Sequence, residues 1–126
     1  MSLRVYVYEK CDTCRKALKF LADRRLVAEI LPIRQQPPTL VELRKMLGAR
    51  NGEMRRLFNT SGLDYKALKM KDKLPGLSEA EALALLSANG NLVKRPFLLT
   101  AEGGLVGFKP EEWERFFGNR AATRGI

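Results

Sequence analysis

A chain of 126 residues, 45% of them apolar, is long enough for one complete hydrophobic core and short for two. It has no histidine and two cysteines, which excludes His–Cys and Ser–His–Asp nucleophile activation, HExxH zinc chemistry and a closed four-thiolate metal centre within one chain. The net charge of +9 invites a nucleic-acid partner, but the cations are spread along helical positions without interleaved aromatics, so direct nucleic-acid binding is not expected.

The N-terminal "MSLRVYVYEK" enters alternating residues at once, without a long apolar run or a small-residue cleavage site. No secretory leader is therefore expected. No apolar run reaches the roughly 20 residues that a membrane-spanning helix needs, so no membrane partner is expected either. A cytoplasmic location follows, with both cysteines held as thiols.

"LRVYVY" predicts a first strand through Tyr8. A helix is predicted over about 13–25, because Cys14, Ala17, Leu18, Phe20 and Leu21 form an apolar stripe. "VAEILPI" predicts a second strand, ended by Pro32 and the "QQPPT" turn. The spacing fits a right-handed βαβ crossover with a parallel strand pair.

The block at about 39–90 reads as helical, with breaks at "GARNG", "NTSGLDY" and "KLPGLS". Thr39 is placed to cap one helix; Ser78 and Glu81 form a capping box for another, which Gly90 is expected to close. The block has too few apolar residues to stand alone and is expected to pack on the main core. "PFLLT" and "GLVGF", joined by "AEGG", predict an antiparallel hairpin. "PEEWERFF" predicts a final helix with Pro110 at its first position. The tail at 119–126 lacks periodicity and is expected to fray. The order gives one α/β domain over 1–118: a four-stranded mixed sheet flanked by helices, with a helical insertion between its βαβ and ββα halves.

"EKCDTCRKA" places Cys11 and Cys14 at the strand-to-helix turn. Unpaired N–H groups and the helix dipole stabilise a thiolate there, and Lys10, Arg15 and Lys16 flank it with positive charge. Cys11, nearer the loop, is expected to attack; Cys14, one turn on, is expected to resolve the intermediate. Two structural cysteines, or half of a zinc site shared between chains, are the competing explanations; the strand-to-helix context favours the redox pair. In "VKRPF", Arg95 and Pro96 stand at a strand entrance. They read equally as two solvated cations before an ordinary proline or as a fixed cis turn beside the thiols.

"VYEKCDTCRKALKFL", the insertion ending in "LVKRPFLL", and "LVGFKPEEWERFF" occur in this order. Together they resemble the arsenate reductase-like (ArsC/Spx) family of thioredoxin-fold proteins, and its CxxC-containing bacterial branch in particular. The resemblance covers the chain to about Gly118. It implies a glutaredoxin-like core and a cis-proline at Pro96. It also implies Cys11 as nucleophile and Arg95 as an oxyanion-stabilising arginine. Two further arginines of the reductases fall here at Asn59, with Arg55 and Arg56 close by, and at Lys109. Lysine keeps the charge without the bidentate fork, and asparagine keeps only hydrogen bonding; losing one charge-assisted bond costs roughly 1.5–3 kcal/mol.

The implied activity is thiol-dependent reduction of a disulfide, a glutathione adduct or an oxyanion. No bound cofactor or metal is called for, and glutathione, glutaredoxin or thioredoxin serves as external reductant. Arg95 and Lys109 then bind an anionic group, with Asn59 as a hydrogen-bonding partner. The alternative implied by the Spx branch is a redox-switched regulator that contacts an RNA polymerase subunit.

Overall fold

Alternation in "RVYV" splits the first strand, β1 (Arg4–Val7), between two apolar faces, with Val5 and Val7 on one and Tyr6 on the other. That split organises the whole computed structural model, which describes the backbone of residues 3–124 and the side chains of residues 3–118. Helix α1 (Asp12–Asp23) follows, and then β2 (Glu29–Pro32), parallel to β1 with Val5 opposite Ile30. Strands β3 (Phe97–Thr100) and β4 (Gly103–Val106) form the antiparallel hairpin, and β3 runs antiparallel to β1. The sheet order is β2-β1-β3-β4, the mixed four-stranded sheet expected from sequence.

One face carries Val5, Val7, Leu98 and Leu105 against Phe20, Leu21 and Trp113 of α1 and the last helix. The other carries Tyr6, Phe97, Leu99 and Val106 against the insertion, whose Leu43, Met46, Phe58 and Leu86 join the same buried cluster. The insertion therefore shares the sheet's core rather than building its own. It consists of α2 (Leu40–Ala49), short α3 (Leu63–Ala67) and α4 (Met70–Lys73), and α5 (Glu79–Ala88).

Both α2 and α5 open with complete capping boxes, Thr39 with Glu42 and Ser78 with Glu81. Glu42 also ties the insertion to the sheet. Its Oε1 accepts from the Thr39 amide at 3.0 Å and the Tyr6 hydroxyl at 2.6 Å, and its Oε2 from Arg4 at 2.8 Å. A buried carboxylate is thereby supplied with three donors, which is what its removal from water requires.

Two boundaries differ from the sequence reading. Helix α5 ends at Ala88 with Asn89 as its cap, and Gly90 instead begins a single 3-10 turn. There it lies so close to Ile33 that a Cβ would stand 1.8 Å from the Ile33 carbonyl oxygen. The glycine is required by that close approach of two backbones, not by a left-handed helix stop. The last helix, α6 (Pro110–Arg124), starts at Pro110 as expected and continues past the Gly118 boundary into the stretch expected to fray. Among the described residues, no helix is long and apolar enough to cross a membrane.

Candidate active site

Strand β1 ends at Val7, so Tyr8 and the following turn deliver Cys11 to the start of α1. Cys11 is the N-cap of that helix: its backbone is extended, and its sulfur accepts the Cys14 amide at 3.3 Å. Sulfur stands where a serine or aspartate oxygen usually satisfies an orphan amide. The Tyr8 carbonyl accepts the Cys11 amide at 3.0 Å and so fixes the loop. Both cysteines are free thiols; Cys11 is half-buried, and Cys14 is 1% exposed in the core beneath α1.

This geometry drives the two thiols apart in acidity. Burial opposes ionisation of Cys11, but the Cys14 thiol and amide, followed by the Arg95 guanidinium, outweigh it, and the Cys11 thiol ionises below its ordinary range. Burial and the neighbouring Cys11 sulfur push the Cys14 thiol up to about 12, against smaller opposing effects of the Tyr8 backbone and Arg95. Cys11 is thus the more readily ionised of the two thiols and Cys14 the more firmly held in its protonated form.

Arg95 reaches this place because the insertion braces the entrance of β3. The Asn59 amide donates to Leu92 O at 2.7 Å and the Lys94 amide to Leu57 O at 2.8 Å, around a bridge between Phe58 and Val93. The Arg95–Pro96 bond is cis, and the Pro96 carbonyl accepts the Gly107 amide at 2.9 Å. Gly107, at φ +70°, adopts the left-handed conformation that glycine tolerates best.

The other expected site residues separate. Asn59 lines a small polar cleft of about 210 Å³ together with Arg95, Arg34, Asp64 and Asn91. Lys109 lines a different open cleft of about 530 Å³ with Arg55, Arg56 and Lys94. Arg15 is exposed and bound to Asp12 and to the Glu9 carbonyl, and Lys10 is exposed. Arg95, distant in sequence, is the cation that favours the Cys11 thiolate.

Sequence reasoning did not single out Tyr8 and Arg34. The Arg95 and Arg34 guanidinium carbons lie 4.8 and 5.0 Å from the Tyr8 ring centroid, and Arg34 donates to the Tyr8 hydroxyl at 3.1 Å. These are favourable cation–π separations. A tyrosine leaving a strand immediately before the cysteine loop was the available signal for the first residue; no local signal existed for the second.

Comparison with known proteins fits this arrangement. The model of the ArsC family matches residues 6–116. The protein YusI of Bacillus subtilis is 41% identical over 114 residues, covering 90% of this chain and 97% of its own. The global transcriptional regulator Spx of Enterococcus faecalis is 27% identical over 115 residues, covering 90% and 85%. A crystal structure of an ArsC-family-related protein from Bacteroides fragilis superposes with a TM-score of 0.85 at 43% identity, covering 91% of this chain and 97% of that one. The fold is the thioredoxin-like fold of these structures.

Proposed function

The chain belongs to the ArsC family, and we propose that it works in that family as a thiol-dependent oxidoreductase with Cys11 as nucleophile and Cys14 as resolving thiol. The observation that carries this is geometric: Cys11 caps α1 half-buried, with its sulfur accepting the Cys14 amide at 3.3 Å, while Cys14, also a free thiol, lies 1% exposed one turn on; the directions in which the two thiols shift agree with it. In the first step the Cys11 thiolate attacks one sulfur of a disulfide, forming a mixed disulfide and expelling the other sulfur as a thiolate. Cys11 then no longer carries charge, so one of the causes holding Cys14 protonated disappears while Arg95 remains. Cys14 loses its proton to solvent and attacks Cys11, forming the Cys11–Cys14 disulfide and releasing the second thiolate. The dithiol gives up two electrons, and an external thiol reductant such as glutathione or thioredoxin restores it. In the cytoplasm, the location proposed for the chain, such reductants keep the resting pair reduced.

Arsenate is proposed as a poor substrate. Asn59 and Lys109 stand in different clefts and lack the guanidinium fork of the arginines that the resemblance places there, so they do not complete a three-arginine clamp on an oxyanion with Arg95.

Reduced protein mixed with one equivalent of bis(2-hydroxyethyl) disulfide tests the mechanism. The expected products are two equivalents of 2-mercaptoethanol and a protein lighter by two hydrogens, with Cys11 linked to Cys14 in the peptide map. Supplying glutathione or thioredoxin should make the reaction turn over, while arsenate in place of the disulfide should be consumed far more slowly. A stable mono-adduct on Cys14, or no reaction of either thiol, would refute the proposal. The regulators among the relatives favour one second reading, a redox-switched regulator that contacts RNA polymerase. Reversible formation of the disulfide without turnover on any external reductant would move the assignment there.

A further inference from the structure

An arginine that favours a thiolate has to be held where its charge is felt, and the hold must not cancel that charge. A carboxylate bonded to Arg95 would fix it but would oppose the negative charge on the cysteine. Among the described residues, Arg95 takes part in no salt bridge. Its guanidinium carbon lies instead 4.8 Å from the centroid of the Tyr8 ring, and an aromatic face attracts a cation while leaving it charged. The ring is itself fixed from three sides. Tyr8 packs against the buried cluster shared by sheet and insertion, its carbonyl accepts the Cys11 amide at 3.0 Å, and its hydroxyl accepts from Arg34 at 3.1 Å. One residue therefore ties the backbone of Cys11 to the cation that acts on its sulfur.

We propose that Tyr8, oriented by Arg34, is the positioning residue that keeps the Arg95 guanidinium at the Cys11 sulfur. The consequence for turnover rests on the oxidoreductase assignment; the positioning itself does not. Without the ring, the long Arg95 side chain spreads over other rotamers, among them those facing Asp64 across the cleft that both line. The helix start still acts on Cys11, but the charge from Arg95 is felt for less of the time. The charged and titratable groups that face Cys11 and Arg95 from packed elements are Cys14 of α1, Asp64 of α3, Arg34 after β2 and Tyr8 itself. Asp64 is engaged elsewhere, its Oδ2 accepting from the side-chain amides of Asn89 and Asn91 at 3.0 and 3.3 Å. Arg34 is a cation in its own right, so an effect of its charge on the sulfur has to be separated from its hold on Tyr8.

The test is the pH profile of Cys11 alkylation by iodoacetamide in the reduced full-length protein, with thermal melts to show that each variant is folded. Tyr8→Leu should raise the Cys11 midpoint by about half a pH unit, or roughly threefold less thiolate below it, the effect that a partly exposed cation–π contact supports. Tyr8→Phe keeps the ring and should recover most of the wild-type profile. Arg34→Ala should raise the midpoint by less than Tyr8→Leu. Neither Tyr8→Leu nor Arg34→Ala should add anything in an Arg95→Ala protein, because both act through Arg95. An unchanged midpoint in Tyr8→Leu, or Tyr8→Phe shifted as far as Tyr8→Leu, would overturn the proposal. So would an undiminished effect of either substitution without Arg95, since Tyr8 would then act on the cysteine loop alone and Arg34 by its own charge. Should Tyr8→Leu fail to fold, Arg34→Ala, at an exposed position, decides by the same comparison with and without Arg95, and a wild-type profile in it overturns the proposal. Failure of the oxidoreductase assignment alone would leave all these shifts in place in a protein that reduces no disulfide.

Discussion

Cys11→Ser loses disulfide reduction by at least about 10³-fold, the scale expected when a nucleophile is removed from a site that keeps its binding groups, whereas Cys14→Ser halts after the first exchange. The difference follows from where the sulfurs sit. Cys11 combines partial exposure with acceptance of the Cys14 amide and the proximity of Arg95. Cys14 is buried, and its thiol, pushed up to about 12 by burial and by the Cys11 sulfur, is held protonated at neutral pH while Cys11 is free. It cannot replace Cys11 as the attacking group. In Cys14→Ser the Cys11 thiolate still forms, although it loses the Cys14 thiol as a donor and ionises closer to the ordinary range. That variant should release one equivalent of thiol and retain the other as a mixed disulfide on Cys11, measured by intact mass and by a thiol-release assay. Release of two equivalents from Cys14→Ser in the absence of added thiol would show that the second cysteine is not the resolving group.

Gly90→Ala destabilises the fold by about 3 kcal/mol, at the upper end of the usual range for overpacking. The new Cβ would lie 1.8 Å from Ile33 O, 2.7 Å from Ile33 C and 3.1 Å from the Arg34 Cα. All three atoms are backbone, so no side-chain rotation relieves the clash, and the turn after β2 must separate from the 3-10 turn that leads toward Arg95. Arg34 moves with it, so its hydrogen bond to the Tyr8 hydroxyl should weaken along with stability. Gly48→Ala is the control with the opposite sign. Gly48 lies within α2 with nothing within 4 Å of its Cβ position, and alanine there should add roughly 0.5–1 kcal/mol through helix propensity. Paired thermal melts distinguish the two. A Gly90→Ala protein that melts with the wild type would contradict the close approach on which the placement of Arg34 depends.

Local chemistry made most of the architecture legible in advance. The alternation of β1, the Ser78 capping box, the "AEGG" hairpin and Pro110 at the first position of α6 are short-range signals, and the structure contains each of them. The Cys11–Cys14 pair was legible for the same reason, since the N-cap of a helix is defined by the residues that follow it. What the sequence did not show was non-local. Gly90 looked like a helix stop because its neighbour in space, Ile33, is distant in sequence. Lys10 and Arg15 flank the thiols in sequence, and in the structure Arg15 bonds Asp12 and the Glu9 carbonyl. Arg95 is the cation whose proximity lowers the Cys11 thiol, and the residues of "VKRPF" alone left open a solvated arginine or one beside the thiols. Arg34 was illegible because parallel pairing of β1 with β2, a property of the sheet, brings it to Tyr8.

The central claim is that a helix start and one arginine divide two adjacent thiols into a thiolate and its protonated partner. Site-resolved alkylation with iodoacetamide across pH, read by peptide mass spectrometry, tests it most directly. A lowered pKa fills the thiolate at lower pH, so Cys11 should react with a midpoint below the ordinary cysteine value of about 8.5, and Arg95→Ala should move that midpoint upward. Cys14 should remain unmodified throughout the neutral range and beyond, its thiol held up to about 12. Equal midpoints for both cysteines, or reaction of Cys14 before Cys11, would contradict the account.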